Sequence, residues 1–455
     1  MVIKNVKRII MQSRYFIYGT VTLFFLSLVS GLTLVNTEAT VMYCGEPSGK
    51  LNYQHNEMLI EKIEKKLDAK RSELIELYRD LHRHPEVSGR EERTAGIIAK
   101  HLRAIGLEVN VGIGGHGVVG ILKGAKPGPV VAYRADMDAV FSDAPDPVSF
   151  RSETPGVRHI CGHDLHVTVA LGIAEALVSI REELSGTVKF IFQPAEENAQ
   201  GASAMIAEGV LENPAPEAIL AVHCAPLAVG QIGSREGMLL AGFDIIDVIL
   251  SGEGDLKAAA KAIAKVISDV STVNLTPAQE DELESSSGQD SVQNDFIFVL
   301  VFSSEENSEK NQWILRALVR ASSEENFARA KKNIQTGVEN LNLPRISYKI
   351  NYTNGVVPAV MNDPALVRGA MDTIRSLQGE EGLVVVEEAL PFFSEDFAFY
   401  LQKIPGVMYF LGVSNEKKGI ISMPHSPQFA VDEEAIFVGA KTMAAVLLNY
   451  LETLK

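Results

Sequence analysis

At 455 residues the chain exceeds the size at which a single hydrophobic core keeps growing, and 46% apolar with 22% charged residues excludes a disordered or fibrous polymer. Its 42 basic against 58 acidic residues give a net charge of -16, which speaks against nucleic acid or an anionic membrane surface as partner, since both select positive patches. Three cysteines, Cys44, Cys161 and Cys224, are too few for a disulfide framework and leave at least one free thiol.

Lys4, Lys7, Arg8 and Arg14 precede the uncharged apolar run Tyr15 to Val35, so residues 1–50 read as an exported chain's signal peptide or membrane anchor with a spacer. Leucines and isoleucines at helical spacing predict a helix over Glu57 to Arg83, and a second fits Glu91 to Ile105. Buried strands are expected at Val118–Leu122 and Val130–Tyr133, the latter running into Arg134-Ala135-Asp136-Met137-Asp138.

His159-Ile160-Cys161-Gly162-His163-Asp164-Leu165-His166 then offers a thiolate, imidazoles and a carboxylate, the side chains that bind borderline transition metals. A helix from about Val167 to Leu184 follows. The run Val188 to Phe192 ends in Gln193-Pro194-Ala195-Glu196-Glu197, where one carboxylate can bind a metal while its neighbour acts as base on a bound water. His223, after the apolar run Ala218 to Val222, and His425, in Pro424-His425-Ser426-Pro427, complete a candidate set. Strand and helix alternate through this stretch, which predicts a mainly parallel α/β core in three layers.

From Phe243 to about Asn354 the texture changes. Strands at Asp244–Leu250, Phe296–Phe302 and Arg345–Asn351, with helices at Leu256–Val270 and Glu324–Asn340, predict a small α+β insert. Gln279 to Ser287 reads as a solvated acidic loop. The core resumes with a helix at Asp363–Ser376, short strands at Val384–Val386 and Val407–Leu411, and a closing helix at Asp432–Leu451.

Taken together, Asp80-Leu81-His82-Arg83-His84-Pro85-Glu86, Arg134 to Ala139, the Cys161 motif, Gln193 to Glu197, Ser394-Glu395-Asp396-Phe397 and His425-Ser426-Pro427 resemble the M20 metallopeptidase superfamily. The resemblance is to its amidohydrolase branch, with hippurate, N-acyl-amino-acid and auxin-conjugate hydrolases. It implies a zinc-peptidase-like catalytic domain, 51–242 with 355–455, and an inserted lid or dimerisation domain, 243–354. It further implies that Cys161, His163, Glu197, His223 and His425 hold two divalent ions (Zn, Mn, Co or Ni), with Cys161 bridging, Glu196 as general base and Asp138 orienting a ligand histidine. The implied activity is hydrolysis of an N-acyl amino acid or peptide-like amide, in a homodimer.

Two departures stand out. Where the branch carries a Gly-Gly-His-Ala-Ala segment, this chain has Ser251-Gly252-Glu253-Gly254-Asp255, with no histidine. The branch's Gly-Thr-x-Arg segment has no counterpart at Phe302-Ser303-Ser304-Glu305-Glu306. A non-catalytic protein that binds metal or an acyl-amino acid is therefore the rival expectation.

Overall fold

The computed structural model describes residues 53–273, 295–352, 357–387, 389–390 and 393–454; the segment 1–50 and the acidic stretch Gln279–Ser287 lie outside the described residues. In chain order the first part comprises α1 (Tyr53–Arg83), α2 (Glu92–Ala104), β1 (Glu108–Ile113), β2 (Gly117–Lys123), β3 (Lys126–Asp136), β4 (Val140–Phe141), β5 (Val157–Arg158), α3 (His163–Val178), β6 (Ser185–Gln193), α4 (Gly201–Ala207), β7 (Ala218–Ala228), β8 (Ile232–Ser234) and β9 (Gly237–Leu240). The insert comprises β10 (Gly242–Gly252), α5 (Leu256–Ser268), β11 (Ile297–Asn307), β12 (Gln312–Ala321), α6 (Glu324–Asn340) and β13 (Ile346–Tyr352). The chain returns through β14 (Val360–Asn362), α7 (Pro364–Gln378), β15 (Leu383–Val385), α8 (Ala398–Leu401), β16 (Gly406–Ser414) and α9 (Glu434–Thr453).

Eight strands form one sheet in the order β1-β2-β6-β3-β7-β16-β8-β15. Its middle, β6-β3-β7-β16, is parallel, while β1, β2 and β8 join antiparallel, so the predicted parallel character belongs to the centre of a mixed sheet. Side chains on a strand alternate between faces. Val131, Tyr133 and Ala135 of β3 accordingly pack with α1, α2, α3, α7 and α9, whereas Ala132 faces the layer of α4, α8, β9 and β14. Both faces being covered explains why these strands read as continuous apolar runs. Helix α9 is long and apolar enough to cross a membrane, but 83% of its most apolar 18 residues is buried inside the protein, as befits a core helix.

The insert is a separate antiparallel sheet, β11-β12-β10-β13, with α5 and α6 packed on one face through Ile263, Ile267, Phe327 and Ile334. Asp255 caps α5 by accepting from Ala258 N, and Ser323 caps α6 through Asn326 N. Strand β12 was not expected from the sequence. It is amphipathic, with Leu315, Ala317 and Val319 inward and Arg316 and Arg320 on the alternate positions. The two passages between the domains lie side by side, since Phe243 and Val357 exchange both backbone hydrogen bonds at 2.9 Å.

The helical layer is joined by one carboxylate. Glu175 of α3, 2% exposed, meets Lys66 and Lys70 of α1 at 2.9 and 3.6 Å and His101 of α2 at 3.3 Å. Burial works against its ionisation, yet His101, Lys66 and Lys70 hold it down to about 2. A depressed folded value contributes stability that is full above the unfolded value of 4.5 and is lost as pH falls through about 2. Glu175→Gln should therefore lower unfolding free energy at pH 7 by about 1–3 kcal/mol, discounted because both lysines are partly solvated. Urea midpoints for both proteins should converge as pH falls from 5 towards 3; a gap independent of pH would disprove this account.

Candidate metal centre

The site is built where β3, β6 and β7 meet the start of α3, at the carboxyl ends of parallel strands. Beyond β3 comes Asp138, beyond β6 come Glu196 and Glu197, and β7 carries His223. Gly162 lets Cys161 and His163 flank the turn into α3. Its φ is 87°, and a Cβ there would stand 2.6 Å from Cys224 Sγ, so both conformation and space require glycine. Ala195 and His425 adopt left-handed backbone at φ 55° and 64° without being glycine, a cost of order 1–3 kcal/mol each that functional sites tend to hold.

All seven residues singled out from the sequence converge here. Donor atoms of Cys161, His163 and His223 lie within 4.8 Å of one another, and so do those of Cys161, Glu197 and His425. Cys161 is common to both groups. His223 Nδ1 donates to the Cys224 carbonyl at 2.8 Å, which fixes the tautomer and leaves Nε2, 3.3 Å from Cys161 Sγ, with a free lone pair. His163 Nδ1 lies 3.3 Å from Asp138 Oδ1, and its Nε2 faces Glu197 at 3.7 Å and Glu196 at 4.0 Å. His425 Nε2 stands 3.5 Å from Glu197 Oε1. His163 Nε2 and Glu197 Oε1 are buried with no hydrogen-bond partner among protein atoms, as donors facing a metal ion would be.

The electrostatics call for positive charge. Burial, then Glu395 and Glu197, push the Glu196 carboxyl well above its usual range. Burial raises Glu197 to about 8 despite His163, and burial with Glu197 raises the Cys161 thiol. His163 is raised to about 10, since Asp136 and Asp138 outweigh its burial. Burial drops His223 and His425 to about 4, which leaves both as neutral imidazoles able to ligate. With protein groups alone, protons neutralise the acidic donors; divalent cations can do so instead. The thiolate, imidazole and carboxylate set fits Zn, Mn, Co or Ni alike.

Other motif residues form the frame. Asp138 accepts from Ser88 Oγ (2.6 Å), Glu196 N (3.1 Å) and Glu197 N (3.0 Å), so one carboxylate orients His163 and both glutamates. His166 is engaged at both nitrogens, by Asp136 at 2.6 Å and by Cys224 N at 2.9 Å, and is thereby a brace. Sequence reasoning missed Arg134. It is 1% exposed and donates to Gln193 (3.0 Å), Asp136 (2.5 Å), Glu395 (2.9 Å) and Asp396 (3.0 Å). A charged residue inside an apolar strand, followed by a carboxylate, was the available signal. Glu91 was also missed; its buried Oε1 accepts from Gly89 N and Ala195 N, both at 2.8 Å.

The second domain contains no histidine, and Gly252, at φ 138°, leads directly into the Asp255 cap of α5. Here the departure stands as read. Strand β12 carries Arg320, whose Nη1 donates to Ser394 Oγ, beside Glu395, at 2.6 Å.

A family model described as "Peptidase family M20/M25/M40" matches residues 132–449. The putative amidohydrolase YhaA of Bacillus subtilis is 32% identical over 405 residues, 86% of this chain and 98% of that protein. IAA-amino acid hydrolase ILR1-like 4 of Arabidopsis thaliana is 33% identical over 402 residues, covering 84% and 86%. Among solved structures, the YxeP protein of Bacillus subtilis, described as a dinuclear metal-binding peptidase from the M20 family, is 30% identical with TM-score 0.70, over 85% of this chain and all (100%) of that one. A putative aminohydrolase from methicillin-resistant Staphylococcus aureus is similar at TM-score 0.74 and 27% identity, over 87% and 100%. Relatives described as hydrolases do not favour the rival expectation of a non-catalytic binding protein. With the model match and these relatives along most of its length, the chain belongs to peptidase family M20/M25/M40 and is a hydrolase of the metallopeptidase type.

Proposed function

We propose that this protein hydrolyses the amide bond of N-acyl amino acids or small peptide-like substrates, with two divalent ions held by Cys161, His163, Glu197, His223 and His425. The observation that carries this reading is the pair of three-residue donor groups sharing Cys161, with Glu196 beside them. Two ions bound there would polarise the amide carbonyl and acidify water. Everything else falls to the chain. Glu196 takes a proton from the attacking water and returns it to the leaving amine as the C–N bond breaks, so that water's second proton stays with the new carboxylic acid. Its raised proton affinity suits the second half of that transfer. Asp138 holds the His163 ring and the backbone of both glutamates.

In the same reading, 51–242 with 355–455 is the catalytic domain and 243–354 a lid that also pairs with a second copy. The resemblance supports this, together with the separate sheet of the insert. The basic segment followed by Tyr15–Val35 supports export, or tethering to a membrane.

The deciding experiment loads the purified full chain with Zn, Mn, Co or Ni and offers N-acetyl, N-benzoyl and dipeptide substrates. Glu196→Gln should lower kcat by about 100-fold to 10,000-fold with metal content unchanged; undiminished turnover in that variant would refute the assigned base. Chelation should abolish turnover, and adding back one ion at a time should restore it. Hydrolysis that survives complete metal removal would refute the two-ion reading.

A further inference from the structure

Four buried charged side chains form a chain behind the donors that the reaction above does not use. Asp164, next to His163, meets His82 Nδ1 at 2.7 Å; His82 Nε2 meets Asp146 Oδ2 at 3.1 Å; Asp146 Oδ1 lies 3.6 Å from Arg158 Nη2. Arg158 Nη1 then donates to the carbonyls of Pro427 at 3.1 Å and Ala144 at 3.2 Å. Exposure is 2% at His82 and Asp164, 3% at Arg158 and 9% at Asp146. One end of this chain abuts His163; the other holds the loop two residues past His425. Arg158 itself stands three residues before Cys161.

The links are fixed from outside as well. The His82 ring packs edge-on against Phe150 at 5.2 Å, and Asp146 accepts from Ser152 N at 3.0 Å. Against the cost of burial, Asp146 and Asp164 lift His82 to about 9, while His82 helps hold Asp146 down to about 2. The chain is therefore ionic at neutral pH. Two bonds tie the His425 loop to the segment leading into Cys161: His425 N to the Ile160 carbonyl, at 2.6 Å, and Arg158 Nη1 to Pro427. Since His425 sits in left-handed backbone at φ 64°, its loop needs such external anchors to stay put.

We propose that Arg158, braced by Asp146 and His82, is a positioning residue that sets the His425 loop against Cys161, so that Cys161, Glu197 and His425 close around one divalent ion. This rests on the two-ion reading above. Groups that orient metal ligands typically affect metal affinity by about 10-fold to 100-fold when removed.

The test counts ions and measures their affinities on the purified full chain titrated with Zn2+, with His425→Ala as the reference for a lost donor. Wild type should bind two ions. Arg158→Met should bind one as tightly as wild type and the second about 10-fold to 100-fold more weakly, with the circular dichroism and thermal midpoint of the ion-free protein retained. Two ions at wild-type affinity, or equal loss of both, would overturn the proposal, the latter because it marks general damage. Should Arg158→Met fail to fold, Arg158→Lys keeps the charge opposite Asp146 but cannot span both carbonyls; it should weaken the second ion, and wild-type affinity there overturns the proposal equally. Fewer than two ions on the wild-type chain would overturn the two-ion reading itself.

Discussion

A guanidinium sealed from water loses several kcal/mol of hydration, which is recovered only if its donors find well-placed acceptors. Arg134 meets that condition by reaching four partners on three segments: Asp136 at the end of β3, Gln193 at the end of β6, and Glu395 with Asp396 ahead of α8. Gln193 and Ala202 N also donate to Asp396, and Phe397 N to Glu395 Oε1. The strand ends that carry Asp138 and Glu196 are thus tied by charge, at the point where backbone pairing between β3 and β6 stops at Asp136 and Gln193. Removing the guanidinium would leave three carboxylates buried together, so the arrangement is held as a unit.

Carboxylates outnumber cations around this tie. Asp396 is raised to about 8 by burial, although Arg134 draws it the other way, and Glu196 and Glu197 are raised as well, while Asp136 is driven well below its usual range because His163 and Arg134 outweigh its burial. His163 and Arg134 thus keep Asp136 ionised, while burial leaves Asp396, Glu196 and Glu197 to be neutralised by protons or by metal. This division separates frame from chemistry. Arg134 donates to Asp136 and to Glu395 Oε1, whereas Glu197 Oε1 and His163 Nε2 have no hydrogen-bond partner among the described residues.

Much of this was legible in the sequence, for identifiable reasons. The central strands are buried on both faces and read as apolar runs; α6 was read with its observed bounds, Glu324–Asn340, because an amphipathic pattern follows a serine cap. The donors were legible because His163 and Cys161, and Glu196 and Glu197, are neighbours in sequence. Strand β1 was missed because four of its six residues face water and its pattern carries no core. Strand β12 was missed because Arg316 and Arg320 interrupt its apolar run in sequence, although their alternation with Leu315, Ala317 and Val319 is that of a half-buried strand. Contacts such as His82 with Asp164, 82 residues away, and Arg158 with Pro427, 269 residues away, leave no local signature. Motifs announce which atoms can react, while the groups that hold them come from distant segments.

Very little backbone fixes the adjacent pair Glu196 and Glu197. Ala195 enters the pair in left-handed conformation, with its N–H held by Glu91, and the next two N–H groups both reach Asp138. Three successive amides are thus fixed by two buried carboxylates, and both glutamate side chains reach His163 Nε2, Glu197 at 3.7 Å and Glu196 at 4.0 Å. Glu197 turns towards His425, at 3.5 Å. After burial, Glu395 is the largest influence that raises the Glu196 carboxyl. Asp138 also lies 3.3 Å from His163 Nδ1, so the same carboxylate contacts one candidate ligand ring and the peptide that presents both glutamates; displacing it would move both together.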